Sequence, residues 1–110
     1  MKAKQPTDDD NFNRGLSVFI QWGPERARPI EQRLAEALPS HSAAQIAQLI
    51  KDYGRIESTA NQIVTAMVEA RQPEAEARRR VAEIDPRLSA DNAAHLFTQA
   101  RYWAWKDECG

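Results

Sequence analysis

The sequence predicts an all-α protein, either a four-helix bundle or a compact orthogonal helical array, with an extended N-terminal arm. Three observations lead there. The run from Ala43 to Arg71 keeps a helical hydrophobic period throughout, with Ile46, Leu49, Ile50, Tyr53, Ala60, Val64, Met67 and Val68 on one stripe. Pro29, Pro39, Pro73 and Pro86 divide the rest of the chain after Gly23-Pro24 into segments of helical length. Leu16 to Trp22 alternates as a strand would, but no second run of that kind exists to pair with it.

At 110 residues the chain fits one domain, which buries roughly two-thirds of the surface its unfolded form exposes. No disulfide or metal staple is required for that, and the single cysteine, Cys109, permits no internal bridge. With 15 Lys+Arg against 16 Asp+Glu, the net charge of -1 creates no global field that would draw in a phosphate backbone or an anionic membrane. The chain has no apolar window of about 18 residues, so no membrane span is expected. Its polar start, MKAKQPTDDDNFN, lacks the apolar core of a signal peptide. The expected location is cytoplasmic.

Residues Met1 to Asn13 carry Pro6 and the acidic run Asp8, Asp9, Asp10, with little apolar surface to offset the entropy of ordering. The expected division is a flexible tail over 1–13 and a single helical domain over 14–110. Leu16, Val18, Ile20 and Trp22 alternate, and Val18, Phe19 and Ile20 favour extended backbone. This stretch is expected as an arm, extended or a short helical turn, whose side chains plug the helical core; edge pairing between two copies is the alternative.

After Gly23-Pro24, Pro29 opens a helix through Leu38, with Ile30, Leu34 and Leu38 spaced i, i+4, i+8, and Pro39 ends it. Ser42 and Gln45 form a capping box at the start of the long helix. Gly54 lies mid-helix, where glycine costs about 1 kcal/mol relative to alanine. Because the stripe keeps its phase across Gly54, one helix is expected, bent there at most. Pro73 starts the next helix, with Glu74 and Glu76 at its positive end and Ala77, Val81 and Ile84 on a narrow apolar edge. Asp85-Pro86 stops it. Ser89, aided by Asp91, caps the last helix, whose inner face reads Ala93, Leu96, Phe97, Ala100, Trp103 and Ala104.

That last helix holds the first functional candidate. Tyr102 and Trp105 point away from its inner face, beside His95 and Thr98, and exposed Trp and Tyr supply contact area at low rotamer cost. His95, Tyr102 and Trp105, with Phe19 and Trp22 of the arm, form the candidate partner-binding set. The expected partner is another protein or a second copy of the chain, and the expected role is a non-enzymatic interaction or regulatory module. The competing explanation is that the arm, with Phe12, Phe19 and Trp22, folds over the outer aromatics.

Two alternatives belong to other classes. Arg71, Arg78, Arg79, Arg80 and Arg87 could make a DNA-binding regulator, with Arg78, Arg79 and Arg80 as the nucleic-acid contacts. Against this, Glu74 with Arg78, Glu76 with Arg80, and Arg79 with Glu83 are i, i+4 pairs of a solvated helix. The spacing of Ala47 and Gly54 also does not fit a helix-turn-helix. A small enzyme or ligand binder would use Glu57, a carboxylate inside the apolar stripe with Arg33, Arg55, Arg101 or Tyr102 as partner. No second carboxylate, histidine or nucleophile completes a catalytic set with it. His41 and His95 are the only histidines and have no metal-ligand spacing, and no phosphate-binding or nucleophile motif occurs, so neither cofactor nor metal is expected.

Overall fold

A computed structural model describes residues 7–21 and 27–109. Among them the chain forms five helices: α1 (Asp8–Phe19), α2 (Ile30–Ala37), α3 (Ala43–Ala70), α4 (Glu74–Ala82) and α5 (Ala90–Cys109). No strand occurs among these residues, and the fold is an all-α array with one helix more than the four expected.

The additional helix is α1. Residues 8–13, expected in a mobile tail, are its first turns, and residues 16–19, expected in an arm, are its last. Its start is a capping box. The Asp10 amide donates to Thr7 Oγ1 at 3.0 Å, and the Thr7 amide donates to Asp10 Oδ2 at 3.0 Å. Asp8, Asp9 and Asp10 occupy the first turn, where the positive end of the helix dipole favours their charge. Phe12, Leu16 and Ile20 are buried at i, i+4, i+8, so the alternation of Leu16, Val18 and Ile20 conceals a helical spacing. Trp22 and the Gly23-Pro24 break lie outside the described residues.

The long helix α3 is continuous over 28 residues, and Gly54 does not end it. Ser42 and Gln45 form the expected capping box, with the Gln45 amide donating to Ser42 Oγ at 3.1 Å. Arg71 closes the helix in the left-handed region at φ 54°, and the Gln72 amide donates to Met67 O at 2.9 Å. Five of its buried side chains, Ile46, Tyr53, Ala60, Val64 and Met67, come from the expected stripe. Ile56 joins them, whereas Leu49, Ile50 and Val68 are only half-buried.

Helix α3 packs against each of the other four, most extensively against α5. Around Tyr53, Ile56 and Val64 the core collects Leu16 and Ile20, Leu34 from α2, Val81 from α4, and Leu96, Phe97 and Ala100 from α5. Burying each large member of this set contributes about 1.5–3 kcal/mol.

Buried polar groups tie α1 into this core. The Tyr53 hydroxyl donates to Phe12 O at 2.9 Å, and Gly15 makes the approach possible: a Cβ there would overlap the Tyr53 hydroxyl oxygen. Asn92 Nδ2 donates to Asn13 O at 2.9 Å, and Ser17 Oγ donates to Asn92 Oδ1 at 2.9 Å. Asn13 in turn donates to Arg87 O at 2.7 Å and accepts from the Ser89 amide at 2.8 Å. At the other end of α1, Arg33 donates to Val18 O at 2.7 Å and Gln99 donates to Ile20 O. Two side chains from neighbouring helices thus bond carbonyls at the helix C-terminus, Val18 O also accepting from the Gln21 amide, and the Arg33 charge matches the negative end of the dipole.

Candidate functional site

Helices α4 and α5 lie side by side and antiparallel: Arg78 stacks over the Phe97 ring at 4.2 Å, and Glu74, at the start of α4, pairs with Arg101. Helix α4 therefore runs out opposite Arg101, and the last turns of α5 continue past it. On those turns Tyr102, Trp103 and Trp105 are 41%, 39% and 58% exposed. The rings form one group. Tyr102 meets Trp103 edge-on with centroids 5.4 Å apart and tilts against Trp105 at 6.3 Å, while Lys106 Nζ lies 5.3 Å over Trp103.

Of the candidate partner-binding set, Tyr102 and Trp105 stand together in this group, as their helical phase predicts. His95 is exposed two turns earlier, its Nε2 3.2 Å from Gln99 Nε2. Phe19 is elsewhere: half-buried, with its ring 5.6 Å from that of Tyr53. Trp22 lies outside the described residues. Phe12 likewise packs against Tyr53, tilted with ring centroids 5.2 Å apart, so neither Phe12 nor Phe19 covers the outer aromatics of α5. Trp103 departs from the expected inner face because phase sets the side of the helix, whereas exposure depends on where the neighbouring helix stops.

The surface around these rings is a groove. One depression of about 280 Å³ is lined by Arg78, Phe97, Thr98, Arg101, Tyr102 and Trp105. A second, of about 180 Å³, is lined by Arg78, Ala82, Ala90, Ala93, Ala94 and Phe97. Arg78 and Phe97 belong to both, so the two adjoin along α5. A separate cleft of about 400 Å³ lies between α2 and α3, with Ile46, Ile50, Ala35, Ala43 and Ala47 as apolar wall and Glu31, His41 and Lys51 among its lining residues. His41 Nδ1 is buried without a hydrogen-bond partner.

Two arginines of the nucleic-acid alternative, Arg78 and Arg79, are closely accompanied by carboxylates. Arg78 Nε donates to Glu74 at 3.3 Å, and Arg79 bridges Glu76 at 2.5 Å and Glu83 at 2.8 Å. The expected Glu76–Arg80 pair is thus replaced by an i, i+3 pair with Arg79, whose hydrogen bonds hold the Glu76 carboxyl below the usual carboxylate range. Arg87 lies over the Phe12 ring at 4.0 Å and binds Asp85 at 2.9 Å and Asp52 at 3.6 Å, while Arg55 reaches Asp85 at 3.7 Å. The Arg87 hydrogen bonds keep the buried Asp85 carboxyl below its ordinary value against the opposing effect of desolvation.

Glu57 is half-buried on α3 and lines none of the three cavities above. Three of the partners considered for it are engaged elsewhere: Arg33 with Val18 O, Arg55 with Asp85, and Arg101 with Glu74. Among the described residues no group of three or more His, Cys, Asp or Glu side chains is arranged to hold a metal ion, and no helix is long and apolar enough to cross a membrane. Comparison with protein-family models, curated proteins and solved structures returns no match.

Proposed function

We propose that the protein acts without catalysing a reaction, as an interaction module whose contact surface is the outer face of α5. One observation carries the reading: Tyr102, Trp103 and Trp105 gather in one exposed group beside a groove, in a chain whose other described large apolar side chains are buried or half-buried. Leaving three such rings in water forgoes burial worth several kcal/mol, and contact surfaces are where aromatic side chains recover it. A cytoplasmic site of action belongs to the same proposal. The DNA-binding alternative has less support, because Glu74 pairs with Arg78, and Glu76 and Glu83 pair with Arg79, two of the three arginines that would meet phosphate.

Affinity capture from extract of the native cell, comparing the wild type with a Tyr102→Ala, Trp105→Ala double variant, tests the proposal. A co-purifying protein that disappears with the double variant supports it; identical profiles from two folded baits contradict it. Light scattering on the same pair reads the second-copy version. A dimer that becomes a monomer in the variant identifies self-association, and a monomer in both removes it.

A further inference from the structure

The make-up of the α4–α5 groove says what kind of partner fits. From Ala90 to Trp105 the groove follows about 22 Å of α5, roughly four helical turns. Its two halves differ. The half lined by Ala82, Ala90, Ala93 and Ala94 has only methyl groups beside Arg78 and Phe97, so another backbone can approach closely. The other half offers the exposed rings of Tyr102 and Trp105 as walls for a bulky apolar side chain. Arg78, shared by both halves, and Arg101, in the aromatic half, are the charged residues of the lining, which includes no carboxylate among the described residues.

Outside the lining, Glu74 bridges these two arginines, one oxygen bonded to each. A guanidinium carries five N–H donors, so one carboxylate shared between two of them leaves most of that capacity unused. Arg78 also lies over Phe97, 4.2 Å from its ring centre, a contact that restrains its fork before any ligand arrives.

We propose that this groove docks an amphipathic helix from a partner protein, one that presents a carboxylate a single turn away from a bulky apolar side chain; the inference rests on the outer face of α5 being the contact surface. The partner carboxylate joins or displaces Glu74 between Arg78 and Arg101. The apolar side chain lies against Tyr102 and Trp105, and the alanine half receives the rest of the helix. Helix-in-groove recognition uses this arrangement of i, i+3, i+4 anchors. A nucleic-acid strand suits the groove less, because Glu74, Glu76 and Glu83 would stand close to its phosphates and the whole chain carries a net charge of -1.

The test is selection of random displayed peptides, about 15 residues long so that a helix spans the groove, on the immobilised full chain. Affinities of the enriched peptides are then measured by fluorescence polarisation. The expected peptides place Asp or Glu three or four positions from Phe, Trp or Leu. Arg78→Gln and Arg101→Gln each weaken them by about tenfold or more, while Arg80→Gln changes them less than about twofold. Arg101→Lys, which keeps the charge, recovers part of the loss, and circular dichroism confirms that each variant folds. Peptides weakened by Trp105→Ala but indifferent to both glutamine variants overturn the acidic-partner assignment and leave the contact surface standing. Peptides indifferent to Trp105→Ala as well, or no enrichment at all, overturn both. Tighter binding of a short single-stranded oligonucleotide than of any peptide, lost in the same arginine variants, also overturns the proposal.

Discussion

Phe12, Phe19 and Tyr53 form one aromatic cluster, with Arg87 over Phe12; Phe97, Tyr102, Trp103 and Trp105 lie along α5, with Arg78 over Phe97 and Lys106 over Trp103. The chemistry is similar, and the finish is opposite. In the first cluster Phe12 is 3% exposed and Tyr53 not at all, and the Tyr53 hydroxyl has its acceptor in Phe12 O. The Arg87 charge is met by Asp85 and Asp52, and burial pushes the Tyr53 phenol well above its ordinary pKa. In the second, only Phe97 is covered. Whether an aromatic-cationic cluster is core or surface is thus decided by a covering element: α1 lies over Tyr53, whereas α4 stops opposite Arg101.

Breaking the sealed cluster costs most. In Gly15→Ala the added methyl overlaps the Tyr53 hydroxyl, so either α1 shifts or the hydrogen bond to Phe12 is lost; urea denaturation is expected to show a loss of about 3 kcal/mol, the upper end for overpacking. Asn92→Ala removes the bridge from α5 to Asn13 and Ser17 and leaves the half-buried Asn13 acceptors short of a donor. Its expected cost, by the same measurement, is about 2 kcal/mol.

Acid acts on the sealed side too. The folded-state pKa of Asp85 is depressed, so its contribution is fully present above the unfolded value of about 3.9 and is lost as pH falls through the folded value. Stability is therefore expected to decline below about pH 4 in the wild type. Asp85→Asn is expected to be less stable at neutral pH and to show a shallower acid decline, measured as denaturation midpoint against pH. An unchanged decline in Asp85→Asn would assign the acid sensitivity to other carboxylates, of which Glu76 is one.

The smaller effects sharpen the contrast. At Gly54 a Cβ meets nothing within 4 Å, so Gly54→Ala is expected to raise stability by about 0.5–1 kcal/mol through helix propensity alone. Trp105→Ala, at the open cluster, is expected to change stability by less than about 0.5 kcal/mol despite deleting the largest side-chain type. A loss of several kcal/mol there would make Trp105 a structural residue and remove the distinction between the two clusters.

What could be read from the chain was what is local. The capping box at Ser42, the serine cap at Ser89 and the proline-bounded start of α4 involve partners a few residues apart, and all recur in the fold. Helix α1 was equally local and still misread. The Thr7–Asp10 capping box is in the sequence, but three consecutive aspartates suggest disorder unless they are placed on a helix N-terminus. The side chains that hold α1 had no local signal at all. Arg33 finds its acceptor 15 residues away, and Gln99 and Asn92 find theirs 79 residues away. For the candidate surface, helical phase was enough to turn Tyr102 and Trp105 outward. It said nothing of the end of α4, and so neither the exposure of Trp103 nor the groove between Arg78 and Arg101 could be anticipated.

The central claim is that the open cluster, not merely any exposed face, is where the protein meets its partner. A photoreactive benzoylphenylalanine placed at Trp105, or for comparison at the exposed Ser58 on α3, reports this when the variants are irradiated inside the native cell. The account predicts a discrete cross-linked species from position 105 and none from position 58. The absence of an adduct at 105, or the same adducts from both positions, would contradict it.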